Sequence, residues 1–191
     1  MKIQNIKKIT TCQHLNMYEI SYTDQNGMEK IWQFTTRADK PKCVTRQFDM
    51  PDAVVIVPFH NVKDKLVIIK EFRVPLGDYQ YGFPAGLVDE GETIQQTCKR
   101  ELKEETGLNV IRIKKSSPPV YSSSGMSDES VSMIYVECDG APSKKGNEGS
   151  EDITTIFVSQ SEASELCKNS RIKLDVKTWL VLSSFVESGW I

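Results

Sequence analysis

The sequence predicts an α/β or α+β fold with a mixed β-sheet, on three observations. Two apolar runs, at 53–59 and 65–73, have the length and the β-branched composition of buried strands. The segment at 93–106 repeats its apolar residues at helical spacing. The other predicted elements mix both types, which is typical of a sheet packed against helices: strands at 130–137 and 153–159, and helices at 161–168 and 175–187.

The start of the chain is predicted to form a separate small antiparallel β-hairpin domain. Strand-like runs at 17–22 and 28–34 flank a turn cluster that ends in Asn-Gly, a pair that favours positive φ. A polar stretch with two prolines follows at 38–52. We therefore place a boundary near residue 48, which divides an N-terminal β region (1–48) from the main domain (49–191).

Composition and charge exclude several classes of protein. The chain has 191 residues, of which 39% are hydrophobic and 26% are charged, as in ordinary folded, soluble proteins. Its formal net charge is −2 and no long basic run offsets it, so nucleic acid is not an expected partner. The longest apolar run, 53–59, is too short to span a membrane, and the N-terminus lacks the apolar core of a signal peptide. These features predict a cytoplasmic protein without membrane partners.

Cysteine and histidine usage restricts the metal chemistry. The five cysteines lie far apart in the sequence, so no CxxC pair or disulfide framework is present. With only two histidines, a zinc site or a Ser/His/Asp hydrolase is not expected. Any metal should therefore be held by oxygen atoms.

The helix at 93–106 carries its own start and stop signals. Thr93 and Gln96 have the spacing of a capping box, and Gly107 stands where a glycine commonly ends a helix. Ile94, Cys98 and Leu102 form an apolar stripe.

Three carboxylates share one side of this helix. Glu101, Glu104 and Glu105 are related by three- and four-residue steps, so their like charges repel. A divalent cation is one reason to keep such charges together. The alternative is a solvated face on which Arg100 and Lys103 act as partners.

The residues before the helix extend this pattern. Gly86, Glu92 and the segment 100–108 match Gx5Ex7REUxEExGU, with U aliphatic, at every position. This motif resembles the box of the Nudix hydrolase superfamily. The resemblance implies a Nudix fold, in which a mixed sheet lies between helices and a loop-helix-loop binds Mg²⁺ or Mn²⁺. It also implies hydrolysis of a nucleoside diphosphate linked to a further group, for which cations must first neutralise the phosphate charge.

The resemblance assigns roles to the box residues. Glu101 and Glu105 would be the main metal ligands, with Glu104 and the backbone carbonyl of Ala85 as further ligands. Arg100 would orient the carboxylates. Glu92 would support the loop, and Gly86 and Gly107 would supply backbone freedom.

The flanking residues resemble one branch of the superfamily, the ADP-ribose pyrophosphatases. The segments 72–75 and 84–92 match the FRxP and PAGLxDxGE patterns of that branch. The resemblance assigns Arg73 to the diphosphate, which a guanidinium can contact through two oxygens, and Leu87 to the substrate pocket. The implied reaction splits ADP-ribose into AMP and ribose 5-phosphate, or cleaves a related nucleoside diphosphate sugar.

The N-terminal hairpin fits the same branch. Trp32 is followed five residues later by Arg37, and in the branch this pair stacks on adenine and reaches the substrate across a homodimer. A second stacking tryptophan of the relatives is missing, because His14 occupies its place and Tyr18 is the nearest aromatic substitute. In the substrate loop, Ser124 stands where relatives carry a proline, directly before Gly125.

A polar segment at 139–152 is predicted to be a mobile surface loop. The resemblance places there a glutamate that activates water, with Glu151 as the best match and Glu148 as the alternative. Two other functions stay open. One is a Nudix hydrolase of another substrate, such as a dinucleoside polyphosphate, coenzyme A, a flavin dinucleotide or an oxidised nucleotide; the other is a non-catalytic Nudix-type sensor. Trp190 is not assigned a role.

Overall fold

A computed structural model of the chain describes residues 1–189. Trp190 lies outside the described residues. The elements in chain order are β1 (Lys2–Lys8), β2 (Asn16–Thr23), β3 (Glu29–Thr36), α1 (Lys42–Thr45), β4 (Ala53–His60), β5 (Lys65–Arg73), β6 (Asp78–Gly82), β7 (Ala85–Leu87), α2 (Ile94–Thr106), β8 (Asn109–Ser116), β9 (Val120–Tyr121), β10 (Ser130–Asp139), β11 (Ile153–Val158), α3 (Gln160–Lys168), β12 (Lys173–Leu174) and α4 (Val176–Ser188).

The chain divides into two compact units. The first contains residues 1–52 together with 119–131, and the second contains 53–118 and the chain from 132 onward. The segment 119–131 falls inside the range assigned from the sequence to the main domain, so the boundary near residue 48 stays a prediction.

The first unit is built on a three-stranded antiparallel sheet in the order β1-β2-β3. The predicted hairpin is confirmed as β2 and β3. Its turn is held by the Asp24 carboxylate, which accepts hydrogen bonds from the backbone of Asn26 and Met28, while Gly27 has a φ of 78°. The added strand β1 was not predicted, because its lysine-rich sequence lacks an apolar face. Such lysines are typical of a sheet edge.

The second unit contains the predicted mixed sheet. The strand order is β12-β6-β5-β4-β10-β8, with β11 paired to β5 and β7 to β4. β12 runs parallel to β6, whereas β5 is antiparallel to β4, β6 and β11. The predicted strands at 53–59, 65–73 and 153–159 are confirmed within a residue or two. The short strands β6, β7 and β12 were missed, because pairing within the sheet rather than local composition defines them.

Helix α2 packs its apolar side into the core of the second unit. Cys98 and Leu102 are fully buried beside Val54, Ile56 and Val67, and Ile94 packs against the same cluster, which confirms the predicted stripe. Burial raises the pKa of the Cys98 thiol to about 12, so this cysteine is an inert core residue.

The ends of α2 are as predicted. The Thr93 hydroxyl accepts a hydrogen bond from the Gln96 backbone, and the Gln96 side chain accepts one from Thr93, which completes the capping box. Gly107 ends the helix with a φ of 77°, a conformation that favours glycine. Two caps thus fix the length and rotation of the helix that carries the box glutamates. Among the described helices, none has the length and apolar character needed to cross a membrane.

Candidate active site

Arg100, in the middle of α2, is the centre of a network of carboxylates from this helix and from the loop before it. Its Nε and Nη2 atoms donate to the two oxygens of Glu92 at 3.0 and 2.8 Å. Its Nη1 donates to Glu101 at 2.6 Å and to Glu104 at 3.2 Å. Nη2 also donates to the Leu87 carbonyl at 3.1 Å, so the guanidinium joins the loop to the helix. This is the geometry that an orienting role for Arg100 requires.

The Glu92 carboxyl group is the ionised partner of Arg100 in this network. Hydrogen bonds from Arg100 and from the Thr97 hydroxyl lower the pKa of its carboxyl to about 2. The group is therefore fully ionised near neutral pH and anchors Arg100. Lys103, the other candidate partner in the alternative solvated face, instead donates to the Gly107 carbonyl and the Asn109 side chain.

Gly86 allows the loop to approach the helix closely. A Cβ atom at this position would lie 1.9 Å from the carboxyl carbon of Glu101. Gly86 is not among the positive-φ residues, so space is what this glycine supplies, and the expectation of special backbone freedom is wrong here. At Gly107, the expected conformational freedom is confirmed.

Glu105 is a buried carboxylate with one hydrogen-bond donor. Its side chain is in the core of the unit, with 7% of the residue exposed, and it accepts a bond of 3.1 Å from the Ala85 backbone N–H. Burial, and then the charges of Glu101, Glu71 and Glu151, raise the pKa of this carboxyl to about 9. Four carboxylates thus act on one small region without an equal number of cations.

The donor set at Glu105 suits a divalent cation. Carboxylate and backbone carbonyl oxygens are the ligands that Mg²⁺ prefers, and a cation would offset the mutual repulsion that raises the pKa of Glu105. Among residues 1–189, no three His, Cys, Asp or Glu side chains already stand as a formed metal centre. The physical reason is that Arg100 holds Glu101 and Glu104, whereas the Ala85 N–H holds Glu105. The residues therefore fit a cation that competes with Arg100 for these carboxylates.

Glu71 is a site residue that the sequence analysis did not single out. Its carboxylate accepts a hydrogen bond of 2.8 Å from Arg73, and its pKa is raised by burial and by the charge of Glu151. It lies on β5, where it pairs with Ile153 at the end of the 139–152 segment. The one sequence signal was its place two residues before Arg73. The hydrogen bond to Glu71 thus connects Arg73 to the cluster formed by Glu71, Glu101, Glu105 and Glu151.

The 139–152 segment is anchored at several points. A Cβ on Gly146 would lie 2.7 Å from the backbone of Glu104, so this glycine packs directly on α2. At its end, the Asp152 carbonyl accepts from the Phe72 backbone, and the Asp152 carboxylate accepts from the Tyr79 hydroxyl. Glu151 acts electrostatically on Glu71, Glu101 and Glu105, and its carboxylate accepts a hydrogen bond of 2.8 Å from the Glu148 backbone N–H.

The first unit collects the other predicted site residues. The Trp32 indole N–H donates to the Gly125 carbonyl at 3.1 Å, and half of the Trp32 surface is exposed. Arg37 forms an ion pair of 2.9 Å with Glu129. Trp32 and Ser124 both line a cavity of about 260 Å³.

His14 and Tyr18, the two residues considered in place of a second stacking tryptophan, lie in different surroundings. His14 lies on the surface. Tyr18 is buried, packs against Phe34 and donates its hydroxyl to the Asp39 carbonyl, so it presents no free ring face. The suggestion that Tyr18 substitutes for the second stacking tryptophan is therefore wrong.

Comparison with known proteins identifies the family. A model described as "NUDIX domain" matches residues 50–179, which is more than half of the chain. The chain therefore belongs to the Nudix family. The fold and the motif at 86–108 independently indicate the same class.

Two curated relatives illustrate the closer similarity. An "ADP-ribose pyrophosphatase" of Saccharomyces cerevisiae is 32% identical over 143 residues, covering 73% of this chain and 59% of that protein. An "ADP-sugar pyrophosphatase" of Mus musculus is 30% identical over 125 residues, covering 63% of this chain and 53% of that protein. The chain thus spans little more than half the length of these relatives.

A crystal structure described as that of an ADP compounds hydrolase has the same fold. Its TM-score is 0.69 at 18% identity, and the match covers 98% of this chain and 95% of that chain. The predicted Nudix fold, with a mixed sheet and a small N-terminal β-sheet, is confirmed.

Proposed function

We propose that the protein is a metal-dependent Nudix hydrolase that cleaves the diphosphate of ADP-ribose or of a related nucleoside diphosphate sugar. The observation that carries this proposal is the buried Glu105, whose pKa is raised by burial and by three neighbouring carboxylates. The names of the curated relatives support the substrate class. In the reaction, a water oxygen bonds to one phosphorus and the P–O–P bond breaks. From ADP-ribose, the products are AMP and ribose 5-phosphate: one phosphate gains the water oxygen, the other leaves with the bridging oxygen, and both protons of water pass to the solvent once the two products are ionised.

The box residues are assigned to the metal site, and Glu151 in the 139–152 segment is assigned to the attacking water. We assign Glu101, Glu104, Glu105 and the Ala85 carbonyl to the metal, and Arg100 to the orientation of the carboxylates. When bound, Mg²⁺ would neutralise phosphate charge and lower the pKa of a coordinated water. Glu151 is assigned to accept the proton of the attacking water. Its charge acts on Glu101 and Glu105, which favours it over Glu148.

Two other groups of residues would bind the substrate. Arg73 would contact the diphosphate, in exchange for its present bond to Glu71. In the first unit, Trp32 would stack on the nucleobase, with Arg37 and Gly125 beside it. Leu87 is half exposed and its carbonyl is held by Arg100, which suits a wall of the substrate pocket.

Three further features belong to the same proposal. Mg²⁺ is the proposed metal, with Mn²⁺ as a substitute, because the donors are oxygen atoms. A homodimer is proposed because apolar side chains are exposed on the N-terminal sheet, including Ile3, Ile31 and Trp32. A cytoplasmic location is supported by the unpaired cysteines.

A second candidate function is hydrolysis of another nucleoside diphosphate derivative. The observation in its favour is that Tyr18 is buried, so it does not replace the second stacking tryptophan, and that the exposed His14 stands at that place. A substrate held by one stacking face would be selected less strictly by its base.

The test is the release of AMP from ADP-ribose with Mg²⁺ and then with excess chelator. We expect metal-dependent turnover of about 1 per second or faster, within the usual enzymatic range. Glu105→Gln should reduce kcat by at least about a hundredfold, because it removes a charged oxygen ligand. Glu165→Gln, an exposed glutamate on α3, serves as the control and should match the wild type. Full hydrolysis by Glu105→Gln would contradict the assignment, whereas failure on ADP-ribose alone would favour the second candidate.

A further inference from the structure

Lys42 is a buried lysine whose charge the proposed reaction does not use. Its side chain is 10% exposed, and its Nζ donates to Asp52 Oδ2 at 2.6 Å and to Ser130 Oγ at 2.6 Å. Ser130 closes the triangle, because its hydroxyl and backbone N–H donate to the same Asp52 oxygen at 3.0 and 2.7 Å. Lysine is rarely buried unless it is paired, and desolvation offsets much of the attraction of a buried pair. The arrangement therefore contributes defined geometry more than stability.

The same lysine binds the 121–130 loop at two more points. Its backbone N–H donates to Asp128 Oδ2 at 2.8 Å. Its Nζ also lies 5.9 Å from the ring centroid of Tyr121. Lys42 thus contacts the first and the last residue of the loop, and Asp128 near its end, from a single position at the start of α1.

Between these ends, the loop is bonded to β3. The Trp32 indole N–H donates to the Gly125 carbonyl, and the Thr35 backbone N–H donates to the Met126 carbonyl at 2.8 Å. The cavity of about 260 Å³ lies in this unit, and its lining includes Lys42, Trp32, Tyr121 and Ser124. The orientation of the Trp32 ring therefore depends on where the loop is held.

We propose that Lys42 is a positioning residue, which fixes the 121–130 loop so that the Gly125 carbonyl holds the Trp32 ring in place for the substrate. This inference rests on the proposed function, in which Trp32 stacks on the nucleobase. Lys42 itself acts through the loop and not on the reacting atoms. Its loss should weaken substrate binding and leave the chemical step nearly unchanged.

The test compares Lys42→Met, which keeps the length of the side chain, with Lys40→Met, the same change at an exposed lysine. For Lys42→Met, we expect the KM for ADP-ribose to rise by about tenfold or more while kcat stays within about threefold. Lys40→Met should match the wild type. A purely structural role would lower the melting temperature without this split between KM and kcat.

Hydrogen exchange supplies a readout that does not depend on activity. The Thr35 amide, which donates to Met126, should exchange about tenfold faster or more in Lys42→Met than in Lys40→Met. If Lys42→Met does not fold, Ser130→Ala replaces it, because this variant keeps the Lys42–Asp52 pair and removes one anchor of the loop. It should show the same two changes at smaller size, about threefold each.

The results separate this inference from the proposed function. An unchanged KM together with unchanged Thr35 exchange, in a folded Lys42→Met or Ser130→Ala protein, would overturn the positioning role. If the wild type does not hydrolyse nucleoside diphosphates at all, the proposed function fails. The exchange of Thr35, and AMP binding followed by tryptophan fluorescence, then decide whether Lys42 positions the loop.

Discussion

Glu92 and Glu105 show how neighbouring glutamates of one motif acquire opposite properties. Glu92 receives three donated hydrogen bonds and its pKa falls to about 2, whereas Glu105 is buried beside other carboxylates and its pKa rises to about 9. The difference is one of partners, since Arg100 binds Glu92 but makes no hydrogen bond to Glu105. At the residue scale, the motif thus contains one glutamate, Glu92, that stays ionised and anchors Arg100, and another, Glu105, whose ionisation is disfavoured by burial. We predict that Glu105 is the one that binds the metal.

The close approach of Gly86 to the Glu101 carboxylate can be tested by substitution. In Gly86→Ala, the new methyl group must displace the Glu101 carboxylate, so we expect at least tenfold weaker Mg²⁺ binding, about 1.4 kcal/mol, and a matching loss of activity. The matched control is Gly82→Ala, because nothing lies within 4 Å of a Cβ at Gly82. Isothermal titration with Mg²⁺ measures the affinity. Equal affinities in the two variants would show that the approach of Glu101 to Gly86 does not matter for the metal.

Trp32 is the second residue whose role can be measured directly. Trp32→Ala should raise the KM for ADP-ribose by about 5- to 150-fold, because aromatic stacking on a base is worth about 1–3 kcal/mol. Trp179→Ala is the control, since Trp179 has a similar exposure of 43% on α4. Steady-state kinetics with both variants provides the comparison. A KM within twofold of the wild type would remove Trp32 from the substrate site.

At the scale of elements, the caps decide which side chains α2 and α3 can present. Both helices start with a complete capping box, at Thr93 and Gln96 in α2 and at Ser159 and Glu162 in α3. These boxes satisfy backbone N–H groups that have no partner inside the helix. The caps therefore set where each helix begins, and in α2 this places the box glutamates.

The cap of α3 makes a prediction about acid stability. Hydrogen bonds from Ser159, together with the Lys65 ammonium, lower the pKa of Glu162 from 4.5 to about 2. A lowered pKa in the folded state contributes stability above pH 4.5, and this contribution is lost as the pH falls towards 2. Glu162→Gln should therefore have a lower melting temperature than the wild type at pH 7, and the gap should narrow below pH 4.5.

Thermal unfolding at pH 7, 5, 4 and 3 measures this difference in melting temperature. Glu165→Gln, on the same helix and exposed, is the control and should stay close to the wild type at every pH. A gap for Glu162→Gln that is constant over this range would mean that its carboxylate does not support the cap.

At the scale of the whole molecule, we predict that the cluster of Glu71, Glu101, Glu105 and Glu151 makes stability depend on a bound cation. Burying Glu105 near Glu71, Glu101 and Glu151 disfavours the folded state until a cation is bound. Ligands that bind only the folded state stabilise it, by about 2.7 kcal/mol at a concentration of 100 times Kd. We therefore expect these buried carboxyl groups to lower the stability of the metal-free protein.

This dependence predicts a reversal in the order of stability. In excess chelator near neutral pH, Glu105→Gln should melt at a higher temperature than the wild type. Because the pKa of Glu105 is raised to about 9 in the folded state, the wild type must take up a proton to fold, whereas glutamine needs none. With saturating Mg²⁺, the wild type should gain several degrees and the variant much less. Differential scanning fluorimetry under both conditions gives the four values. A variant that is less stable than the wild type in chelator would contradict this account.

Much of the fold could be predicted because its signals are local. The hairpin turn, the limits of α2 and the buried strands follow from neighbouring residues alone, and the spacing of the motif placed Glu101, Glu104 and Glu105 on one helix. Strand β1 and the short strands β6 and β12 could not be predicted, since β1 lacks an apolar face and the other two are too short to show a pattern, so that only pairing within the sheets defines them. The suggestion that Tyr18 substitutes for the second stacking tryptophan is wrong because the burial of Tyr18 depends on contacts with residues 34 and 39, which the local sequence does not reveal.

The sequence by itself determined the family, the caps of α2 and the placement of three glutamates on one side of that helix, because each rests on residue types at fixed spacing. Only the tertiary structure decided that Glu71 and Glu151 act on Glu105, that Gly86 is required for space, and that Lys42 is buried beneath the 121–130 loop. The physical reason is that burial and charge coupling depend on distances between segments remote in the chain. Those distances are set by sheet pairing, which brings β5 next to β11 and so joins Glu71 to the end of the 139–152 segment.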